Sequence, residues 1–318
     1  MKKILTIGPV FIVIAALLWA ADGVFRISLG SLPPAVTVFY SDAFGFIALL
    51  FVASKWFGDL RKMTKKEWIA IAIVALFSEA LGTILYTSAL QMTKFLPYSV
   101  VVILEQQLQP IFGIITAAIL LKEKISKHFV TWAAIAIVAV YFTTFKNLTI
   151  NTQTGSQTII AAIFAITSGI MWGSSTAISK FVLKKVNVLT ATAERFSLGA
   201  LFALFFIIPQ GQAQAMIHLT QMQIWILIAI TLTTGMVATA IYYYGLKRTP
   251  ARVSSICELA FPAAAIFIDY FLYHTTFSLT QVLGLIVLVY SMFQVTTHEG
   301  MAAQVPEKKT PKSNPKHK

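Results

Sequence analysis

The stretch PYSVVVILEQQLQPIFGIITAAILLKEK, residues 97–124, decides the class of fold. It is apolar and long enough to cross a bilayer as one helix, which takes about 20 residues. It nevertheless carries Glu105, three glutamines and Pro110 in its middle. Glu105 and Gln109 are one helical turn apart and therefore share a face. Ionisable residues inside a membrane span are costly and mark candidate functional sites. The stretch therefore predicts a transmembrane helix that lines an internal cavity.

The overall composition is typical of a membrane protein. Of 318 residues, 57% are hydrophobic and 12% are charged, and the mean hydropathy is +0.77. These values exclude an ordinary soluble domain and a disordered chain. The net charge of +13 is concentrated between apolar runs and in the tail, which favours a role in membrane topology over nucleic-acid binding. The single cysteine excludes an internal disulfide, and we expect no metal and no cofactor.

Ten apolar runs predict an all-α membrane protein with ten transmembrane helices. Most of the lysines and arginines fall in alternate connections or at the termini, and by the positive-inside rule both termini are then cytoplasmic. The runs lie at 8–30, 34–56, 68–90, 97–121, 129–146, 157–182, 188–209, 223–246, 252–273 and 279–297.

The two halves of the chain form an internal repeat. Each half holds five runs, an odd number, so the second copy is inverted in the membrane relative to the first. We therefore predict a first five-helix repeat at 1–150, a second, inverted repeat at 151–297, and a disordered basic cytoplasmic tail at 298–318. Equivalent residues recur 153 positions apart: Trp19 and Trp172, Pro97 and Pro250, and Glu105 and Glu258.

Four segments carry a family resemblance: LLWAADGVF at 17–25, IMWGSSTAI at 170–178, ATAERFSLGALF at 191–202 and ILEQQLQPIFGIITAAILLKEKISKHFVTWAAIAI at 103–137. Through these segments the chain resembles the drug/metabolite transporter superfamily, EamA type, and the resemblance extends over residues 8–297. The resemblance implies a transporter of the cytoplasmic (inner) membrane that works by alternating access and exports amphipathic metabolites or amino acids. Two positions depart from the family pattern. Asp42 stands where an arginine is usual, and Thr275 stands in the second repeat where the first has Glu123.

Carboxylates and aromatic residues on single helix faces form the candidate substrate site. At about 1.5 Å per residue, Asp22, Asp42 and Glu105 fall at one level of the membrane. Carboxylates there would bind a cationic group or protons, and aromatic faces attract cations. The predicted substrate-binding residues are Glu105, Gln109, Asp22, Trp19, Glu79, Tyr86, Trp172, Ser175 and Tyr242.

Structural roles compete with this assignment. Asp22 can pair with Arg26 one turn away, and Asp42 can pair with Arg195 or cap a helix end. The tryptophans and tyrosines can equally serve as packing residues or as anchors at the membrane interface.

Two prolines inside spans are predicted hinges. Pro110 leaves the carbonyl of Gln106 without its helical donor, and Pro262 does the same for the carbonyl of Glu258. We expect bending at both places as one repeat rocks against the other, with tolerated kinks as the alternative.

The sequence predicts a secondary active transporter and not an enzyme. All five histidines lie at span ends, in loops or in the tail, so no Ser–His dyad or HExxH pair can form inside the membrane. The predicted substrate is a small amphipathic metabolite of the amino-acid or organic-amine type, exported together with protons. The alternatives are uptake or exchange of a nucleoside-derived, phosphorylated or quaternary-amine compound, and a passive channel or membrane scaffold. Membrane lipids are expected partners, and a monomer and a homodimer are both compatible with the sequence.

A first prediction concerns Glu105. Replacing Glu105 with Gln removes the charge and keeps the shape, so transport should be abolished while expression and folding stay nearly intact. Uptake by reconstituted vesicles checks this, and unchanged transport would show that Glu105 lies outside the site.

Overall fold

A computed structural model describes residues 2–93, 100–149, 157–274 and 276–302. Every regular element in these ranges is helical. We number ten helices along the chain. They are α1 (Lys2–Ser28), α2 (Pro34–Leu50), α3 (Lys65–Met92), α4 (Val100–Leu120), α5 (Lys127–Thr144), α6 (Thr158–Leu183), α7 (Val188–Ile207), α8 (Gln221–Leu246), α9 in two pieces (Ala251–Cys257 and Ala260–Tyr273) and α10 (Leu279–Ala302).

Length and composition confirm the all-α membrane class. Among the described residues, eight helices are long and apolar enough to cross a membrane. A ninth candidate is α2 together with the helical turns that follow it at Ala53–Lys62, across a bend of 78°. The described apolar part of α4, Leu108–Leu120, is shorter than a full span. The count of ten spans and the division into two inverted repeats stay predictions. Helix α10 runs to Ala302, beyond the predicted end of the last span at 297, and 303–318 lie outside the described part.

Capping boxes begin three of the helices. In each box the backbone N–H of the capping residue donates to a side-chain oxygen of the residue three positions later. Lipid offers no acceptor for such an N–H group. The pairs are Thr64 with Glu67 at 2.9 Å, Thr220 with Gln223 at 2.8 Å, and Ser278 with Gln281 at 3.1 Å.

The principal helix contacts join the first half of the chain to the second. Helix α4 packs on α6, α5 on α10, α2 on α7 and α1 on α8. Small residues let such helices approach closely in lipid, where apolar burial gives little preference for one neighbour. At the α4–α6 crossing, for example, a Cβ atom added to Gly173 would lie 2.1 Å from the backbone oxygen of Gln109. These crossings enclose the centre of the molecule.

Helix α2 ends earlier than the predicted span at 34–56. It stops at Leu50, and the chain continues in short 3-10 turns. The indole N–H of Trp56 donates to the carbonyl of Leu49 at 2.8 Å, and the Trp56 side chain is buried. This contact folds the segment back on the end of α2, which apolarity alone does not reveal.

Helices α3 and α8 each contain a π-helical segment, at Val74–Gly82 and Thr231–Gly235 respectively. A π segment shifts the backbone hydrogen bonds by one residue and is common at functional sites. In α3 it leaves the carbonyl of Ser78 to accept from the indole N–H of Trp172 at 2.9 Å. Both segments contribute residues to the central cavity described below.

The two predicted hinges differ in local structure. Helix α4 is continuous through Pro110. Helix α9 is interrupted between Cys257 and Ala260, close to the carbonyl that Pro262 leaves without its helical donor. That carbonyl, of Glu258, instead accepts from the backbone N–H of Phe261 at 3.0 Å in a tighter turn. Motion at either proline stays a prediction.

Candidate functional site

A central cavity lies where the two halves of the chain meet. It is lined by side chains from α1, α2, α3, α4, α6, α7, α8 and α9. Both prolines line it as well. Glu105 lies in α4, and its side chain is outside the described part of the structure. The other predicted substrate-binding residues all line the cavity: Gln109, Asp22, Trp19, Glu79, Tyr86, Trp172, Ser175 and Tyr242.

Two tryptophan–tyrosine pairs supply the aromatic part of the lining. The rings of Trp19 and Tyr242 have centroids 5.0 Å apart, and those of Tyr86 and Trp172 are also 5.0 Å apart. Each pair joins a residue of the first half to one of the second. Ring pairs in this distance range attract each other, and aromatic rings that line a cavity are suited to contact with a flat ligand.

Asp22 has protein partners on both carboxylate oxygens. Arg26, one turn further along α1, donates to Oδ2, and the hydroxyl of Thr234 donates to Oδ1 at 2.7 Å. The structural alternative for Asp22 is therefore realised, although the pair still faces the cavity. Arg26 is also 3.4 Å from the hydroxyl of Thr87.

Glu79 and Arg195 form the second ion pair of the cavity. Arg195 donates to Glu79, to the hydroxyl of Tyr243 at 3.1 Å and to Ser78 Oγ at 3.2 Å. Of the two structural alternatives for Asp42, direct pairing with Arg195 is not formed, because the guanidinium binds these three groups. Glu79 lies on the π segment of α3, which presents it to α7.

Glu258 is a central residue that the predicted site omitted. Its side chain is 8% exposed. It accepts hydrogen bonds from the hydroxyl of Tyr242 at 2.7 Å, from Gln109 Nε2 at 2.8 Å and from the hydroxyl of Thr176 at 3.3 Å. The bond from Gln109 crosses between the halves of the chain. The repeat offered the signal, because Glu258 is the copy of Glu105.

Carboxylates outnumber guanidinium groups in the described lining. The lining has four carboxylates and two guanidinium groups, so full ionisation would leave a formal charge of −2. Such a cavity repels anions and favours neutral or cationic ligands. The groups counted are Asp22, Asp42, Glu79 and Glu258 against Arg26 and Arg195.

Hydrogen bonds tie the lysine-rich helix ends together on one side of the cavity. The carboxylate of Glu123 accepts from the backbone N–H groups of Ala251 and Arg252 at 2.7 and 3.1 Å, and from the Arg252 guanidinium at 3.0 Å. Lys180 Nζ donates to the carbonyls of Leu246 and Thr249 at 2.6 and 2.7 Å. These bonds hold the ends of α4, α6, α8 and α9 in contact.

Apolar helices around a cavity with polar and charged lining define a multi-pass membrane protein with an internal site. The EamA-like transporter family matches residues 6–145 and 159–297. The chain therefore belongs to the EamA-like transporter family, which confirms the resemblance found in the sequence. The family makes the protein a membrane transporter and not an enzyme.

Related proteins agree with this assignment. The chain is 27% identical over 293 residues to the riboflavin transporter ImpX of Fusobacterium nucleatum subsp. nucleatum, covering 91% of this chain and 97% of that protein. It is 30% identical to an uncharacterized transporter of Synechocystis sp., covering 78% of this chain and 70% of the other. A solved crystal structure shares the fold with a TM-score of 0.73 at 16% identity, covering 92% of this chain and 98% of the other.

Proposed function

We propose that this protein is a secondary transporter of a small metabolite with a flat heterocyclic body, for which riboflavin is the first compound to test. The observation that carries the proposal is the pair of tryptophan–tyrosine contacts, Trp19 with Tyr242 and Tyr86 with Trp172, on a cavity whose lining has more carboxylates than guanidinium groups. Flat aromatic side chains bind planar rings by offset stacking. Riboflavin is such a ring and carries no net charge at neutral pH. The name of the Fusobacterium relative supports the same choice.

The hydrogen-bonding groups of the cavity suit the polar edges of such a ligand. Ser175, Thr83 and Thr239 offer hydroxyl groups to the cavity, and Gln109 offers an amide. A few placed polar groups on an otherwise apolar surface are typical of small-molecule sites, where they fix the orientation of the ligand. Ring faces would then meet the aromatic pairs, and ring edges or a polyol chain would meet the hydroxyl groups.

The cavity also suits alternating access. The contacts made by Glu123 and Lys180 close the lysine-rich helix ends, whereas the lining includes Arg26 and Tyr86, in the last two turns of α1 and α3 at the opposite ends. Release of the ligand through the lysine-rich end therefore requires those contacts to break. Coupling to protons and export, as opposed to uptake, stay part of the proposal.

A second candidate substrate class is an amino acid or organic amine. The specific observation in its favour is the excess of carboxylates, since Asp42 and Glu258 have no guanidinium partner among the described residues. An ammonium group would neutralise one of them. A phosphorylated substrate is disfavoured, because both arginines of the lining are already paired with carboxylates.

Ligand binding separates these candidates. Purified protein is heated with riboflavin, its 5′-phosphate, tryptamine or an amino-acid mixture. A ligand at 100 times its Kd should stabilise the fold by about 2.7 kcal/mol. We expect protection by riboflavin and weaker protection by the phosphate ester, which has the same ring and added negative charge. Protection by the amine alone would favour the second candidate, and protection by the phosphate ester alone would contradict both.

Trp19 tests the aromatic part of the site. Trp19→Leu keeps an apolar side chain and removes the ring that contacts Tyr242. Riboflavin should then bind about 2- to 13-fold more weakly, as expected for an aromatic contact of about 0.5–1.5 kcal/mol. Riboflavin titration with fluorescence detection measures the change. The control is Trp225→Leu, because Trp225 is 60% exposed on α8 and is not part of the lining. Equal affinities in the two variants would place the ligand elsewhere.

A further inference from the structure

Asp42 is the one residue of the described lining whose buried carboxylate oxygen has no hydrogen-bond partner there. Its side chain is 2% exposed, and no donor among the described residues lies within reach of Oδ2. It faces the central cavity. A buried, unpaired carboxylate is costly, and it is normally compensated by a cation, a donor or a proton. The structure thus indicates a binding site for a small positive species at Oδ2.

Asp42 and its charged neighbours together contain one more carboxylate than guanidinium groups. Glu79 faces it from α3, Arg195 from α7 and Arg26 from α1. Arg26 is paired with Asp22, and Arg195 is paired with Glu79. Asp42 is therefore the excess carboxylate of the group.

The remaining packed element brings no further charge. Helix α8, which also packs on α2, contributes the hydroxyl of Thr231 to the carbonyl of Ser41 at 3.0 Å, and its Tyr243 accepts from Arg195.

Gly199 on α7 makes room for the two carboxyl groups to lie side by side. A Cβ atom at this position would lie 2.4 Å from Asp42 Oδ2 and 2.9 Å from Glu79 Cγ. Because the backbone of α7 at Gly199 lies so close to both carboxyl groups, there is little space for a hydrated ion at Asp42 Oδ2. A proton needs no such space, and it neutralises one of two neighbouring carboxylates that repel each other when both are ionised.

We propose that Asp42 and Glu79 share a proton-binding site, with Asp42 as the carboxyl group that gains and loses the proton during transport. The proton enters through the cavity, forms an O–H bond on Asp42 and leaves as H⁺ when that bond breaks, so no other reactant is needed. Protonation takes the group of Asp42, Glu79 and Arg195 from a formal charge of −1 to zero. Arg195 is attracted more strongly when Asp42 is ionised than when it is protonated. Because α7 carries Arg195, whereas α2 and α3 carry the carboxylates, proton binding changes the attraction between the two halves of the chain. This inference rests on the proposed proton-coupled transport.

The substrate-independent test is an infrared pH titration of the purified protein. We expect a protonated carboxyl C=O band that disappears as the pH rises, shifts when aspartate is labelled with ¹³C, and is missing from Asp42→Asn. Glu194→Gln is the matched control, since Glu194 is a buried carboxylate outside the lining, and it should keep the band. Persistence of the band in Asp42→Asn, or absence of a labelled-aspartate band from the unaltered protein, overturns the proposal. The labelling result decides the matter if Asp42→Asn does not fold. A titration midpoint that moves when sodium replaces choline would instead show a metal-cation site.

The transport test uses riboflavin in proteoliposomes. In Asp42→Asn, riboflavin should accumulate to the same level with and without a pH gradient, whereas the control Glu194→Gln, altered outside the lining, should keep the response to the gradient. Gradient-driven accumulation by Asp42→Asn at the unaltered level would overturn the proposal. If the unaltered protein does not move riboflavin at all, the proposed substrate fails while the infrared titration still decides the role of Asp42.

Discussion

Glu258→Gln should lower the transport rate about 100-fold. The carboxylate accepts from Tyr242 and Gln109 at 2.7 and 2.8 Å, and hydrogen bonds to a charged group contribute about 1.5–3 kcal/mol each, where 2.7 kcal/mol corresponds to 100-fold. In the variant one oxygen becomes an amide nitrogen, so one of these donors faces another donor. The bond from Gln109 joins the two halves inside the cavity, and its loss should impair the closed arrangement as well as ligand binding. Initial uptake rates in proteoliposomes measure the effect.

Two further variants separate this role from a general effect of a buried carboxylate. Glu194→Gln alters a carboxylate that is equally buried, at 8% exposure, but lies outside the lining, and it should transport normally. Tyr242→Phe removes one donor to Glu258, so its effect should not add to that of Glu258→Gln. Full additivity in the double variant, or transport by Glu258→Gln above half the unaltered rate, would show that the hydrogen-bonded group is not needed.

The helices could be predicted because lipid makes their signal strong. Backbone groups in a bilayer must be paired within the segment, so a long apolar run can only be a helix or part of a closed barrel. Three local features were missed, namely the early end of α2, the π segment of α3 and that of α8. Each depends on a contact between distant parts of the chain or a shift of backbone hydrogen bonds, such as the bond from Trp172 to the carbonyl of Ser78. Hydrophobic periodicity carries no information about these.

The residue types of the site could be predicted better than their partners. Polar and aromatic residues in apolar runs indicated eight side chains that line the cavity, because burying polar groups against lipid is costly. Their binding of substrate, and the part played by Glu105, stay predictions. The pairing of Glu79 with Arg195 spans 116 positions and requires α3 to lie against α7, which no spacing rule gives. Asp22 with Arg26 is local and was foreseen as an alternative. Glu258 was not predicted as a site residue, although the repeat relates it to Glu105. Its three hydrogen-bond donors come from three other helices, and the sequence does not reveal that arrangement.

Gly173→Ala should strongly destabilise the folded protein. The new Cβ atom would lie 2.1 Å from the backbone oxygen of Gln109 and 3.0 Å from the backbone nitrogen of Gly113. Backbone atoms cannot rotate away, so α4 and α6 must move apart. Overpacking of this kind costs about 1–3 kcal/mol, and we expect a value at the upper end because α4 and α6 form the main contact between the halves. The midpoint of thermal unfolding in detergent and the monodisperse yield measure it.

Gly23→Ala is the matched control for this prediction. Gly23 is also a helical glycine that lines the cavity. A Cβ atom there would have no heavy atom within 4 Å, apart from its chain neighbours and the backbone of its own helix. Alanine favours a helix over glycine by about 0.5–1 kcal/mol, so this variant should be at least as stable as the unaltered protein. Equal unfolding midpoints for the two alanine variants would mean that α4 and α6 are not in backbone contact. A lower midpoint for Gly173→Ala alone would show that glycine is required at the helix crossing beside Gln109. At this crossing the main packing contact between the halves adjoins the proposed ligand site.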